Sequence, residues 1–531
     1  VTFLSFIFLS LILIFSIKVI YLSLSTESSF YNNTKQNFVK KRRDIVDRYG
    51  SVLATNVILY DVGVRPKLLK EKEKKNLLIK LGLLFPELDL NNIKRKLHKG
   101  NFFSIGKRLT PKEKDQLWLM GNKAFVFDPK PYRIYPQKSL FSHVLGQTDD
   151  INEGISGIEK FYDEDLSNKE KIDSPLSLTL DSNLQYLIRK ELIQAQQNFQ
   201  NNGSGAILMN VENGEILSLI SLPDYDLNQR ISIDDNIYTN KITLGVYELG
   251  SVFKTFTIAA GLENKVITPN TIFKNLENKL TCDKFTITEH DKLPKNLSVE
   301  QILIRSSNIG AIRIAQKVGI KKYKDFLKNL GLLDPMKFDL EEIGTPIPFK
   351  WGKCKLATTS YGHGITTTAL QLARAYAILG NGGYKIQPNI LKIKKESLKK
   401  KEQIISHKTS NAINMMLRKV VSLEEGTANF ADVKGYDVGG KTGSAVKYKS
   451  KAKRNTFVSL FPASRPKYVL LVMLDEPKPA PNFVYELPPS EKNPNGYKHK
   501  GETRNTAGWN TVVVAGKIIE KIGPILAINN L

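Results

Sequence analysis

Two polar residues interrupt the apolar stretch "YELGSVFKTFTIAAGLE", Tyr247 to Glu263. Phe253, Phe256, Ile258, Ala259 and Leu262 have the spacing of a buried helix, yet Ser251 and Lys254 stand three apart at its start. Residues three apart on a helix share a face, so the hydroxyl and the amine can touch. An amine beside a hydroxyl can serve as general base to a nucleophile. A helix-capping serine followed by a solvated lysine has the same spacing. The pattern recurs at Ser397 and Lys400, Ser450 and Lys453, and Ser464 and Lys467, so spacing alone leaves both readings open.

Two further stretches carry residues of the same kind. "LIRSSNIGAIRIAQKVG" sets Ser306 and Asn308 just ahead of a helical run with Ile309, Ile312, Ile314 and Ala315. By itself it reads equally as a helix cap. "GYDVGGKTGSA" sets Lys441, Thr442 and Gly443 at the opening of a strand, with Gly439 and Gly440 as breakers. By itself it reads equally as a turn between strands.

The elements that must hold these residues are legible from Leu176 onward. "LSLTLD" alternates like a strand, and "NLQYLIRKELIQAQQNF" puts Leu184, Leu187, Ile188 and Leu192 on one helical face. "SGAILMNVENGEILSLISLP" is two apolar runs around Asn213-Gly214, a hairpin signal. "KTGSAVKYK" and "RNTFVSLFPASRPKYVLLVMLDEP" read as adjoining strands, and "NTVVVAGKIIEKIGPIL" as a closing helix. Hairpin strands enclosing a run of helices predict a mixed α/β layered domain. Upstream, Pro66 to Lys130 is lysine-rich with amphipathic helical patches such as "KNLLIKLGLLF", and "LKIKKESLKKKEQ" reads as a solvated loop.

Bulk properties narrow the function classes. At 531 residues and 41% hydrophobic content the chain is a globular protein of two or more domains. A net charge of +26 is spread over short lysine runs, without zinc-finger spacing, an RNA-binding signature or a phosphate loop, so no nucleic-acid partner is expected. A basic body also suits an anionic envelope surface. Two cysteines, Cys282 and Cys354, permit one optional disulfide at most, and the six histidines lack ligand spacing, so no metal is expected. Val1 to Ile17 is free of charge, Lys18 interrupts, and Val19 to Leu24 resumes, which predicts an uncleaved membrane anchor. The positive charges Lys35, Lys40, Lys41, Arg42 and Arg43 follow this span; read literally, they would put the body in the cytoplasm.

In the order Ser-x-x-Lys, Ser-x-Asn, Lys-Thr-Gly, the three stretches resemble the motif set of β-lactamases and penicillin-binding proteins. "RRDIVDRYGSVLATN" resembles the segment that opens the pedestal of class B penicillin-binding proteins, and "GISGIE" the one that ends it. "SYGHGITTTALQLARAYAILGNGG", Ser360 to Gly383, is similar to their transpeptidase domains, most of all to the septal FtsI type. The resemblance implies an anchor over 1–24, a smaller α+β pedestal over 25–170, and a penicillin-binding transpeptidase domain, an antiparallel sheet with helices, over 171–531. It implies Ser251 as the acylated nucleophile, Lys254 as its base, Ser306 as proton relay, and Asn308 as holder of the substrate backbone and the Lys254 amine. Lys441 and Thr442 would bind the substrate carboxylate within a strand carrying Gly443, and the Ser251 and Ser444 N–H groups would form the oxyanion hole.

The implied substrates are D-Ala-D-Ala stem peptides of peptidoglycan, with β-lactams as inhibitors and no cofactor. The implied partners are an FtsW-type glycan polymerase and other division proteins. The implied location is the bacterial inner membrane at the septum, crossed once, with the catalytic body periplasmic because the substrate lies outside. An elongation-type transpeptidase and a catalytically idle division scaffold are the alternatives.

Overall fold

The computed structural model describes residues 8–20, 40–229, 236–283, 285–392, 402–448, 450–487 and 494–528. They fall into two compact units that do not follow chain order. One holds Val1–Lys41, Asn56–Tyr132 and Asp149–Glu153; the other holds Arg42–Thr55, Arg133–Thr148 and Gly154–Leu531. Residues 8–20 are helical with exposed side chains. The ends of the anchor expected over Val1 to Leu24 lie outside the described residues, as does most of "LKIKKESLKKKEQ". Among the described residues no helix is long and apolar enough to cross a membrane.

Strand β1 (Ile45–Val46) pairs antiparallel with the first residues of β2 (Val52–Val64), Ile45 opposite Ala54. Further along, β2 pairs with β3 (Phe103–Leu109) and β4 (Phe125–Ile134). The smaller unit also holds the helices α1 (Glu71–Leu84), α2 (Leu90–Lys99) and α3 (Pro111–Trp118). Their ends are written locally. Asp89 caps α2 and Gly100 leaves it with φ 73°, while Thr110 and Glu113 cap α3 reciprocally with Pro111 in its first turn. Leu77 and Leu81, one turn apart on α1, share a core with Ile93, Leu97, Phe103 and Leu117.

In the larger unit the expected strand "LSLTLD" is only β5 (Leu176–Ser177), parallel to β1. Its alternation ends early because Asp181 turns to cap helix α4 (Ser182–Phe199), accepting from the N–H groups of Asn183 and Leu184. The hairpin around Asn213-Gly214 forms as expected: β6 (Gly203–Asn210) and β7 (Ile216–Leu222), with Gly214 at φ 77°. Helix α5 (Lys254–Glu263) follows a 3₁₀ turn over Gly250–Phe253. Then come a small hairpin, β8 (Lys279–Cys282) and β9 (Phe285–Thr288), and helices α6 (Asn308–Val318), α7 (Lys353–Thr359), α8 (Ala369–Gly380) and α9 (His407–Ser422). Strands β10 (Gly439–Val446), β11 (Lys453–Phe461) and β12 (Tyr468–Asp475) and helix α10 (Thr511–Ile528) close the chain.

The main sheet is antiparallel in the order β10-β11-β12-β6-β7. Helices α4 and α10 pack on one another and on the sheet, and α8 packs on β6, β11 and β12. From Tyr468 to Leu474 every residue of β12 is buried, so helices cover both faces of this central strand. β10 is an edge strand, which leaves alternate backbone groups facing away from β11. Cys282 and Cys354 form a disulfide, Cα–Cα 5.6 Å, tying β8 to α7.

Candidate active site

All three motifs converge in the larger unit. Ser251 lies in the 3₁₀ turn that leads into α5, 8% exposed, at a cleft of about 630 Å³ also lined by Ser306, Thr442 and Ser444. Two glycines make this approach possible. Gly250 has φ 65° and a Cβ there would meet the Ser444 carbonyl oxygen at 2.7 Å; a Cβ on Gly443 would meet that of Leu249 at 2.2 Å. The Ser251 turn is thereby pressed against the edge strand β10. Behind it, Tyr376 of α8 donates to the Val252 carbonyl at 2.8 Å, with Thr255 Oγ1 2.8 Å from the same hydroxyl.

Lys254, the first residue of α5, is fully buried. Its Nζ donates to the Ser306 carbonyl and, at 3.1 Å, to Ser306 Oγ. Lys441 enters from β10, also fully buried, and donates to the same Ser306 Oγ at 2.9 Å. It reaches the Thr442 carbonyl at 3.2 Å and Thr442 Oγ1 at 3.3 Å. Ser306 is held at φ 59°, the left-handed region that a β-carbon disfavours. No hydrogen bond to Ser251 Oγ is present among the described residues. Burial pushes the Lys254 amine down to about 7, against an opposing pull from the Glu289 carboxylate. Burial, and then the neighbouring Lys254, pushes Lys441 well below its ordinary value. Two ammonium groups sharing one hydroxyl in a dry site disfavour each other, so the pair titrates as a coupled unit. A neutral amine near neutral pH is what a general base requires.

Asn308 departs from the expected contacts. Its Nδ2 donates to the Thr288 carbonyl at 2.8 Å, and its buried Oδ1 has no partner among the described residues. Ser307, not Ser306, caps α6, accepting from Gly310 N at 2.9 Å. Thr442 Oγ1 lies 2.9 Å from Thr427 Oγ1, and Ser444 Oγ accepts from Ala507 N at 3.1 Å. Reading the motifs missed Thr427 and Glu289, which come from stretches with no recognisable pattern, and Tyr376, whose family-like stretch Ser360 to Gly383 does not say which of its residues meets the Ser251 turn. Glu289 shows in sequence only as one acid of "TEHD".

A buried pair of amines around one serine hydroxyl, a second serine on the adjoining turn and a Thr-bearing edge strand bring together group types that acyl transfer can use. Comparison with known proteins then fixes the family. Residues 204–487 match the penicillin binding protein transpeptidase domain, and residues 39–175 the penicillin-binding protein dimerisation domain. The chain is 31% identical over 501 residues to the probable peptidoglycan D,D-transpeptidase FtsI of Caulobacter vibrioides, covering 92% of this chain and 82% of that one. The chain belongs to the class B penicillin-binding proteins.

Other relatives of this penicillin-binding protein spread across several roles. The peptidoglycan D,D-transpeptidase FtsI of Buchnera aphidicola is 31% identical, covering 82% of this chain and 83% of its own. The stage V sporulation protein D of Bacillus subtilis is 30% identical, covering 83% and 75%. The crystal structure of penicillin binding protein 2X from Streptococcus thermophilus superposes with a TM-score of 0.73 over 92% of this chain and 80% of that one. At 20% identity this likeness concerns the fold.

Proposed function

We propose that this penicillin-binding protein cross-links D-Ala-D-Ala stem peptides of peptidoglycan through an acyl-enzyme on Ser251. Neutral Lys254 takes the Ser251 proton as Oγ attacks the penultimate D-Ala carbonyl. The N–H groups of Ser251 and Ser444 receive the developing oxyanion, each worth about 3–4 kcal/mol of barrier in comparable sites. Ser306 passes a proton to the leaving D-alanine amine, and an amine of a neighbouring strand then attacks the ester. Lys441 and Thr442 hold the terminal carboxylate. An anion there favours the ammonium form of Lys441, which in turn favours the neutral form of Lys254. Gly443 keeps the β10 backbone close enough to the nucleophile turn, and the unpaired Asn308 Oδ1 is left to accept from substrate or from Lys254.

The observation that carries this reading is the Ser306 hydroxyl shared by two buried amines, 3.1 Å from Lys254 and 2.9 Å from Lys441. Labelled penicillin followed by peptide mapping tests it: the adduct is expected on Ser251 and absent from Ser251→Ala. An adduct on another serine would refute the assignment.

We further propose a septal role, with an N-in anchor over 1–24, a pedestal over 25–170, and a transpeptidase domain over 171–531 outside the membrane. The FtsI-like "SYGHGITTTALQLARAYAILGNGG" and two relatives named FtsI support it. The Cys282–Cys354 bond supports an oxidising compartment. An FtsW-type polymerase is the expected membrane partner. Depletion is expected to give long undivided cells; round or swollen cells would favour the elongation-type role.

A further inference from the structure

The Ser306–Asn308 turn is not built by its own neighbours in sequence. At the start of α6 the first backbone N–H groups lack intrahelical acceptors. Here two of them, Asn308 N and Ile309 N, find one carboxylate 19 and 20 residues upstream. Glu289 Oε1 accepts from Ser307 Oγ at 2.6 Å and from Ile309 N at 2.9 Å, and Oε2 accepts from Asn308 N at 2.7 Å. The next residue back, Thr288, takes the Asn308 side-chain amide at 2.8 Å. Residues 288 and 289 therefore hold four donors of a turn whose first residue, Ser306, is in a strained left-handed conformation between two amines.

We propose that Glu289 is a positioning residue for acyl transfer, fixing the Ser306–Asn308 turn so that the Ser306 hydroxyl meets both lysine amines and Asn308 Oδ1 stays unpaired beside them. The geometry explains why a carboxylate is needed. Three donors converge on its two oxygens, and a glutamine amide would set an N–H against at least one of them. It also explains why Glu289 lies beyond Thr288 at the end of the β8–β9 hairpin. The hairpin is bonded through Cys282 to Cys354 of α7, so the carboxylate is carried on a cross-linked support. A displacement of about 1 Å in such a turn is enough to cost on the order of 100-fold in rate.

Glu289 has a second, separable effect. Its charge opposes the burial that lowers the Lys254 amine, so removing the charge lowers that amine further. The other charged groups near Lys254 are Lys441 from β10 and His290 from the segment after β9. Both are depressed first by desolvation and then by Lys254, and His290 also feels Glu289, Asp291 and Lys453. A residue with only a structural role would change the amount of active protein; Glu289 should change both the plateau rate and the pH dependence.

The inference rests on Ser251 as the acylated residue, and the experiment separates the two. Full-length wild type, Glu289→Gln and Glu289→Asp are titrated with labelled penicillin, the adduct is mapped, and acylation rates per active site are followed from pH 5 to 9. For Glu289→Gln we expect the adduct still on Ser251, a plateau rate reduced about 10- to 100-fold and an acid limb displaced to lower pH. For Glu289→Asp, which keeps the charge but shortens the reach, we expect a reduced plateau with the acid limb unmoved. An adduct away from Ser251 in wild type would overturn the acyl-enzyme reading itself. A Ser251 adduct with wild-type rates and pH profile in Glu289→Gln would overturn the role of Glu289 alone. So would a loss confined to the number of active sites in both variants.

Discussion

Lys254 and Lys441 show at the scale of single residues how burial becomes chemistry. An exposed lysine is a poor base because it stays protonated; a desolvated one beside a second amine does not. With Lys254 as the proposed base, acylation should rise with pH through about 7, as the amine becomes neutral, and level off above it. A rate flat from pH 5 to 9 would remove Lys254 as the base. Lys254→Met, which keeps most of the volume, should slow acylation about 10²- to 10⁴-fold while leaving the thermal midpoint unchanged or raised, since a buried amine is costly to desolvate. Thr442 makes a different test. Its hydroxyl now meets Thr427 and Lys441, and a bound carboxylate should accept its hydrogen bond instead. Thr442→Val should weaken acylation by a free-acid β-lactam by about 1.5–3 kcal/mol and leave its carboxylate ester almost unaffected. Equal losses for acid and ester would deny Thr442 that role.

At the scale of elements, the motifs are held in place by contacts that lie outside them. The Ser251 turn is gripped between β10 and the Tyr376 hydroxyl, which donates to Val252. The β8–β9 hairpin leads into the cleft-lining Glu289, with its Thr288 end meeting α6 and its Cys282 end bonded to α7. Closing a loop of 72 residues in sequence separation should stabilise the fold by about 2–4 kcal/mol. Paired Cys282→Ala and Cys354→Ala replacement, followed by urea denaturation, is expected to lower stability by that amount. Unchanged stability would mean that the bond adds nothing to the fold.

At the scale of the whole molecule, segments far apart in sequence are joined by buried charge. Arg42 Nε donates to Glu159 Oε2 at 2.8 Å, and Arg133 Nε donates to Glu159 Oε1 at 2.7 Å. Arg42 also reaches Asp163 Oδ1 at 2.6 Å. Arg42, Arg133 and Glu159 are all buried, and Arg133 Nη1 and Nη2 have no partner among the described residues. Removing the carboxylate leaves the buried Arg133 guanidinium without a partner among the described residues and Arg42 with Asp163 as its remaining carboxylate there, which is the expensive way to break such a cluster. Glu159→Ala should therefore cost roughly 3–5 kcal/mol in urea denaturation without altering the Ser251 chemistry in the folded fraction. A loss below about 1 kcal/mol would show the cluster to be solvated in practice.

Local pattern determined much of this protein. The helical period of Leu184, Ile188 and Leu192, the Asn213-Gly214 turn, and the apolar strands ending at Leu474 are decided by which face each residue must bury, and periodicity records that choice directly. The three motifs were legible because each packs several chemical constraints into a few consecutive residues. Only the tertiary structure decided the rest. It shortened "LSLTLD" to two paired residues, made Ser307 rather than its neighbours the cap of α6, turned Asn308 toward Thr288, and joined Cys282 to Cys354. It also brought Glu289, Thr427 and Tyr376 to the site. These are contacts between residues 15 to 124 apart in sequence, and a hydrogen bond of that span leaves no period in the chain. What each polar group pairs with is settled by which elements the core packs side by side.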